Sequence, residues 1–386
     1  MFKITVKNTK IQFSNVIGHL KNSKELDISR NNLNTPICFN EFDILKILNI
    51  KHNNLTVIPI FKSLSIITYL DISHNKLTST AGVENLINLT FLDISNNNLI
   101  TINHLEKLIN LLQLNISNNS LASISPIENL TNLTNLRMDK IGLKSSMFIK
   151  KLTNLISLSI RYNRLTDFDG FKNLINLNDL YVSGNKLKSV AGIERLINLK
   201  HLNIVGNYLK STADIENLTT LQYLDISINR LISVVGLGNL TNLTDLHIEW
   251  NLIKSAVGLD KLTNLTTLYI KNNQLTSINC FKKLTNLTNL DIRNNKIKSI
   301  MSIKYLSYLN NDSFEHLRPG NPIKPLHKIN LIKYSKNTEF NIYNYWQFNF
   351  KISRHFKIDV FKYLKTSINT DFEKILKSTH LIKYLI

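Results

Sequence analysis

One feature governs what this chain can fold into: an apolar and amide frame that returns every 22 residues with no insertion or deletion across fourteen units. With residues 1–22 as the first unit, position 4 runs Ile4, Leu26, Leu48 and on to Leu290. Position 6 runs Val6, Ile28, Ile50 and on to Ile292. Position 9 is Asn31, Asn53, Asn75, Asn97, Asn119, Asn163, Asn185, Asn207, Asn229, Asn251, Asn273 and Asn295, broken only by Thr9 and Ile141.

Side chains on a strand alternate faces, so positions 4 and 6 point the same way and belong to one core. Stacked units would set these short strands side by side as a parallel sheet, each coil burying its apolar side only against its neighbours. An Asn where the chain leaves the strand can both donate and accept, so a column of them is expected to form a structural ladder that satisfies the turn backbone inside the solenoid. Ile141 lacks that chemistry, which predicts a soft joint. Roughly ten residues separate successive strands, too few for a long helix, so the return is expected to be a 3₁₀ or short helical turn. Gly recurs at position 16, at Gly82, Gly170, Gly192, Gly236 and Gly258.

The pattern Leu-x-x-Leu-x-Ile-x-x-Asn-x-Ile, carried for example by Leu287, Leu290, Ile292, Asn295 and Ile297, resembles the 22-residue class of leucine-rich repeats. That class includes nuclear regulatory subunits of protein phosphatase 1 and bacterial internalins. The resemblance covers residues 1–308. It implies an α/β solenoid, a horseshoe with a parallel sheet on the concave face, 3₁₀ or short helical turns on the convex face and a C-terminal cap. The repeats begin at Met1 with neither a secretion signal nor the helical N-terminal cap of internalins, which predicts an intracellular protein that is not secreted. Gly320-Asn321-Pro322-Ile323 matches the start of the phosphatase-subunit cap, and the continuation from Lys324 to Tyr334 matches loosely.

The frame fails in unit fifteen, where Asp312 falls at a core position. The chain therefore divides into repeats over 1–308, a degenerate terminal repeat over 309–323 and a distinct segment over 324–386. From residue 301 onward 14 Lys plus Arg face 6 Asp plus Glu, and the segment is dense in aromatics from Phe340, Tyr343, Tyr345 and Trp346 to Phe361 and Tyr363. A cap over the last repeat, a docking module and a basic-aromatic surface for nucleic acid or anionic membranes are the competing readings.

The net charge is +20, a field that favours acidic partners and non-specific contact with nucleic acid. Cys38 and Cys280 lie eleven units apart, about 50 Å along the stack against a bridging limit of about 7 Å, so the fold needs no disulfide, as in a reducing compartment. No run of about 18 apolar residues is present, so no membrane span is expected. The Asn-Leu-Thr triplets at Asn88, Asn217 and Asn264 match the glycosylation sequon and read as repeat filler.

The fourteen units supply their own baseline. Positions 3, 5, 7 and 8 are expected to face outward, and their commonest filling is Leu-Asp-Ile-Ser, which reads as neutral packaging. Departures gather in units seven to fourteen: Arg137, Lys140, Arg161, Tyr162, Tyr181, His201, Tyr223, His247, Glu249, Trp250, Tyr269, Lys271 and Arg293. Tyr, Trp and Arg are the residues most enriched at binding hot spots, and on a rigid sheet they lose little ordering entropy. A smaller stripe of Ile47, Tyr69 and Phe91 occupies position 3 of units three to five.

No catalytic set, metal site or cofactor is expected. His201 and His247 stand two units apart, about 10 Å, without clustered carboxylates, and Gly236-Leu-Gly238 lacks the Lys-Ser or Lys-Thr of a phosphate loop. The sequence thus predicts a monomeric, non-enzymatic interaction scaffold that binds an acidic or mixed-charge protein on its concave face. A phosphatase-regulator-like adaptor, and nucleic-acid or anionic-surface binding through 324–386, are the alternatives.

Overall fold

The computed structural model describes residues 3–7, 17–34, 37–61, 66–310, 312–313, 316–317 and 319–323. All of them lie in the first of two compact units, 1–334 and 335–386. The segment 324–386 and its aromatic run lie outside the described residues.

Fourteen three-residue strands, β1 (Lys3–Thr5) through β14 (Asn289–Asp291), form one parallel sheet in chain order among the described residues. Each pairs with the next at a register of one repeat, as in Leu26↔Leu48 and Leu268↔Leu290. Position 4 is buried in every strand from Leu26 to Leu290, and position 6 closes the same core from Ile28 to Ile292. Most returns from residue 103 onward are 3₁₀ turns of three to five residues, for example Ser125–Asn129 and Asn279–Lys283, and the earlier ones are plain turns. One four-residue helix, α1 (Ile17–Leu20), stands between β1 and β2 (Glu25–Asp27). The 22-residue solenoid inferred from the frame is therefore the observed architecture.

Two details explain why this sequence stacks so tightly. At Gly170 a Cβ would lie 1.9 Å from the Ser146 carbonyl oxygen, so only glycine lets the turn approach the preceding coil. The position-9 amides do the second job. Each of the twelve Asn side chains donates Nδ2 to the position-6 carbonyl of the preceding coil. Asn185 is typical: Nδ2 reaches Ile160 O at 2.9 Å and Val182 O at 3.0 Å, and Oδ1 accepts from Leu165 N at 3.0 Å. These groups are buried, so each bond satisfies backbone that water cannot reach.

Unit seven breaks the column. Ile141 is buried at the Asn site and can offer no amide, and the Leu121 N–H finds no acceptor among the described residues. The bond from the position-10 N–H to the preceding coil, present as Ser120 N to Leu99 O at 3.1 Å and Arg164 N to Leu143 O at 2.7 Å, has no counterpart at Gly142. Leu121 is only half-buried, whereas Leu99 and Leu165 are fully buried at the same position.

A second amide row runs along the turns before many of the strands. Asn110, Asn132, Asn198, Asn242, Asn264 and Asn286 each donate Nδ2 to the carbonyl 23 residues back. The Asn-Leu-Thr triplet at Asn264 therefore carries a stacking amide. At the far end, Asn321 performs the position-9 task four residues out of frame, donating to Ile292 O at 2.8 Å and accepting from Ile297 N at 3.2 Å. Ser313, next to the misplaced Asp312, accepts from the Leu290 N–H at 2.9 Å and so ties down the last strand.

Candidate interaction surface

The sheet face is built from positions 3, 5 and 7, and the structure corrects the expectation at position 7. Ser29, Ser73, Ser95, Ser117, Ser183 and Ser227 are buried rather than outward. At the end of the strand the small hydroxyl folds back on the position-5 carboxylate: Ser73 Oγ donates to Asp71 Oδ1 at 2.6 Å and Ser95 Oγ to Asp93 Oδ1 at 2.6 Å. The Asp-Ser pairs at 27/29, 71/73 and 93/95 are thus a clasp that completes those strands.

The thirteen departures from this clasp separate into two groups. Five are engaged within the face. Arg161 holds Asp139 through Nε at 3.0 Å and Nη2 at 2.9 Å, and the same buried carboxylate accepts from the Arg161 N–H and Ser159 Oγ. His201 Nδ1 lies 2.6 Å from Asp179. Lys271 bridges Glu249 at 2.9 Å and Asp291 at 3.8 Å, and Arg293 forks onto Asp291 at 2.9 and 2.6 Å. Burial pushes the Asp291 carboxyl up, but the Arg293 hydrogen bonds and charge outweigh it and hold the group below the usual carboxylate range.

The others present themselves outward. Arg137 ends β7 (Asn135–Arg137), the strand whose two outward positions are both exposed, and it makes no ion pair among the described residues. Lys140 lies over the Tyr162 ring at 5.3 Å, and Arg161 stands 6.0 Å from the Tyr181 ring centre.

His201, Tyr223, His247 and Tyr269 form one oblique row across four neighbouring coils. Their ring centres are 6.4, 5.4 and 4.8 Å apart, the last pair edge to face. Such edge contacts suit the ring quadrupoles and hold the row in place. Burial, followed by the charges of Asp225 and Asp245, pushes the Tyr223 phenol up to about 12, so it remains a neutral hydroxyl. On the amino-terminal side Tyr69 and Phe91 stack at 4.1 Å within 6° of parallel, as neighbours on one edge of the face.

Trp250 is not on the strand face. It stands three residues beyond β12 (Asp245–His247), at position 8, where every coil from Arg30 to Asn294 adopts positive φ. That left-handed conformation suits Gly and Asn, and Gly184, Gly206, Asn96, Asn118, Asn272 and Asn294 occupy it. Trp250 (φ 53), Ile228 (φ 54) and Tyr162 (φ 54) hold it against the cost of a Cβ and are more than half exposed. Asp139 and Ile228 do not stand out in the sequence alone. Asp139 could have been found as an acid in the same column as Arg161, and Ile228 as a β-branched residue in an Asn/Gly column.

Among the described residues no group of three or more His, Cys, Asp or Glu side chains is placed to hold a metal ion, and Tyr223 stands between His201 and His247. Cys38 and Cys280 are unbridged, and burial pushes the Cys280 thiol up to about 11, away from nucleophilic use. No described helix is long and apolar enough to cross a membrane.

Comparison with known proteins agrees with the repeat architecture. A family described as Leucine Rich repeats (2 copies) matches residues 153–195 and 263–311, and one described as Leucine Rich Repeat matches 88–108. No curated protein sequence matches the chain. An internalin of Listeria monocytogenes, InlF, is 29% identical with a TM-score of 0.68, over 70% of this chain and 81% of its own. The LRR protein LIC12759 of Leptospira interrogans shares the fold at a TM-score of 0.74 and 24% identity, over 86% of this chain and 93% of its own. The functional domain of InlJ from Listeria monocytogenes, which includes a cysteine ladder, shares the fold at a TM-score of 0.54 and 24% identity, over 70% and 68% of the two chains.

Proposed function

The chain is a leucine-rich-repeat protein, and from that premise we propose that it is a non-enzymatic interaction scaffold whose sheet face over units seven to thirteen docks a protein of acidic or mixed charge. The observation that carries this reading is the continuous row His201–Tyr223–His247–Tyr269, set on adjacent strands of a fixed register. Aromatic side chains supply large contact area at little entropic cost, and here their neighbours already hold them. The exposed Arg137 gives the same face a cationic end.

The test is affinity capture with the full chain against Tyr223→Ala/Tyr269→Ala, both proteins first matched by melting temperature. A protein lost only with the variant supports the reading. If every captured protein survives the change, the sheet face is not the docking surface. An intracellular setting is part of the proposal and draws on the unbridged thiols, Cys38 exposed among them. A narrower version, a phosphatase-regulator-like adaptor, draws on Asn321-Pro322-Ile323, whose Asn closes the ladder. Pull-down of a protein phosphatase 1 catalytic subunit tests it.

A further inference from the structure

A second surface follows the strands on the turn flank, at positions 8, 10 and 12 of each coil. Its composition changes abruptly along the stack. In units two to six these positions hold two Lys or Arg residues, Arg30 and Lys76, beside His52 and His74; in units seven to fourteen they hold ten Lys or Arg, from Lys140 to Lys298, and neither stretch holds an acid. None of the ten makes an ion pair among the described residues. Within this basic flank units eleven and twelve raise an apolar island: Ile228, Ile232 and Val235 on one coil, Trp250, Leu252 and Val257 on the next, each between 44% and 64% exposed. Backbone bonds fix the two coils against each other, Ile228 N to Glu249 O at 2.9 Å and Leu252 N to Leu231 O at 2.9 Å. Between Ile228 and Ile232 the Arg230 guanidinium lies 4.6 Å over the Tyr208 ring of the preceding coil. Two of the island's side chains, Ile228 and Trp250, are held in left-handed backbone that the Asn of other coils would occupy more easily.

Charge decides among occupants. The chain's own 324–386, with 12 Lys plus Arg against 4 Asp plus Glu, has the wrong sign to cover this flank, and so has a second copy of the same surface. The occupant is anionic. Five of the six island side chains are aliphatic and offer a nucleobase nothing to stack on. Protruding aliphatics and a Trp bordered by Lys and Arg match instead the layered chemistry of a bilayer surface, acyl chains beneath and anionic headgroups around. We propose that the flank of units ten to twelve is a peripheral docking site for anionic lipid membranes, with Ile228, Ile232, Trp250 and Leu252 entering the interface and Lys210, Arg230 and Lys254 meeting the headgroup phosphates. This surface is distinct from the sheet-face row, so either can be wrong alone.

The test is flotation of the full chain with vesicles of phosphatidylcholine alone and with about 30% phosphatidylserine. Binding is expected only to the anionic vesicles, weakening with added salt. Ile228→Asn/Trp250→Asn places at both sites the residue other coils use, so the variant folds at least as well, and a loss of binding cannot be ascribed to unfolding. It is expected to lower the partition coefficient about tenfold or more. In a Trp346→Phe background, Trp250 emission shifts to the blue on binding. No flotation overturns the proposal, as does flotation that the double variant keeps. A variant that instead loses binding to a single-stranded oligouridylate or to poly-glutamate, with flotation unchanged, overturns it in favour of a polymeric partner.

Discussion

Ile141→Asn should stabilise the protein, against the rule that replacing a buried aliphatic by a polar residue destabilises. The Asn rungs on either side set the geometry the new amide would adopt. Its Oδ1 would accept the Leu121 N–H, a half-buried donor now without a partner, and its Nδ2 would donate to Ile116 O and Met138 O. At about 1 kcal/mol for each of these three bonds the gain is about 3 kcal/mol. Removing the apolar contact of Ile141 costs about 2 kcal/mol. The balance, about 1 kcal/mol, corresponds to about 2 °C in the melting temperature of an array this long. Calorimetry gives that shift, and hydrogen exchange locates it: the Leu121 and Gly142 amides should exchange fast in the natural protein and slow in the variant, while Leu99 and Leu165 stay protected throughout. The mirror change, Asn207→Ile, removes bonds to Val182 O and Ile204 O and the acceptor of Leu187 N–H, and by the same accounting should lower stability by about 1 kcal/mol. An Ile141→Asn melt at or below the natural value, with Leu121 exchange unslowed, would refute the claim that the amide column holds the coils together.

Three further outcomes rest on the same geometry. Gly170→Ala should cost about 3 kcal/mol in chemical denaturation, because the new Cβ meets the Ser146 carbonyl group, whereas Gly142→Ala, at positive φ in open space, should cost only about 1 kcal/mol. Arg293→Met strips the fork from a buried carboxylate and should cost about 2 kcal/mol at neutral pH. Because Asp291 titrates below its ordinary value of 3.8 in the folded chain, the Arg293 contribution is present above that value and is lost as pH falls through the folded one, so the two proteins should converge in acid denaturation. Ile228→Asn and Trp250→Asn should each raise stability by about 1 kcal/mol in thermal melts, through relief of left-handed strain.

The stack was legible because its determinants are local and repeated: Leu at position 4, Ile at 6 and Asn at 9 carry their meaning within one coil. The surface was less legible because its determinants lie between coils. Arg161 and Lys271 read as free cations along the chain, yet their carboxylates, Asp139 and Glu249, sit in the same column one coil back, brought within reach by the 22-residue register. Reading the sequence down columns as well as along units would have exposed those pairs. Position 7 failed for another reason. A serine is polar by composition, and only the fold-back onto Asp71 or Asp93 shows that its hydroxyl faces inward. Trp250 was found by type but misplaced, since the strand ends at His247 and the left-handed turn carries the next outward side chain onto the flank.

The weak rung and the change of surface fall at the same coil. Unit seven carries Ile141, and from unit seven onward the flank turns basic and the sheet face departs from the Asp-Ser clasp. In a solenoid, stability is close to a sum of coil and nearest-neighbour terms, so a seam that lacks three of the bonds its neighbours make is where cooperative unfolding should divide. A ligand that binds folded coils stabilises only the block it touches unless the seam transmits the effect. A partner on the row from His201 to Tyr269, or a membrane on the flank of Ile228 and Trp250, should therefore slow exchange from unit eight to unit fourteen and leave the amides of units two to five unchanged. Filling the seam with Ile141→Asn should carry that protection across into unit six. If the protection fails to cross into unit six when Ile141→Asn restores the missing bonds, the Ile141 joint is not what separates the two blocks of coils.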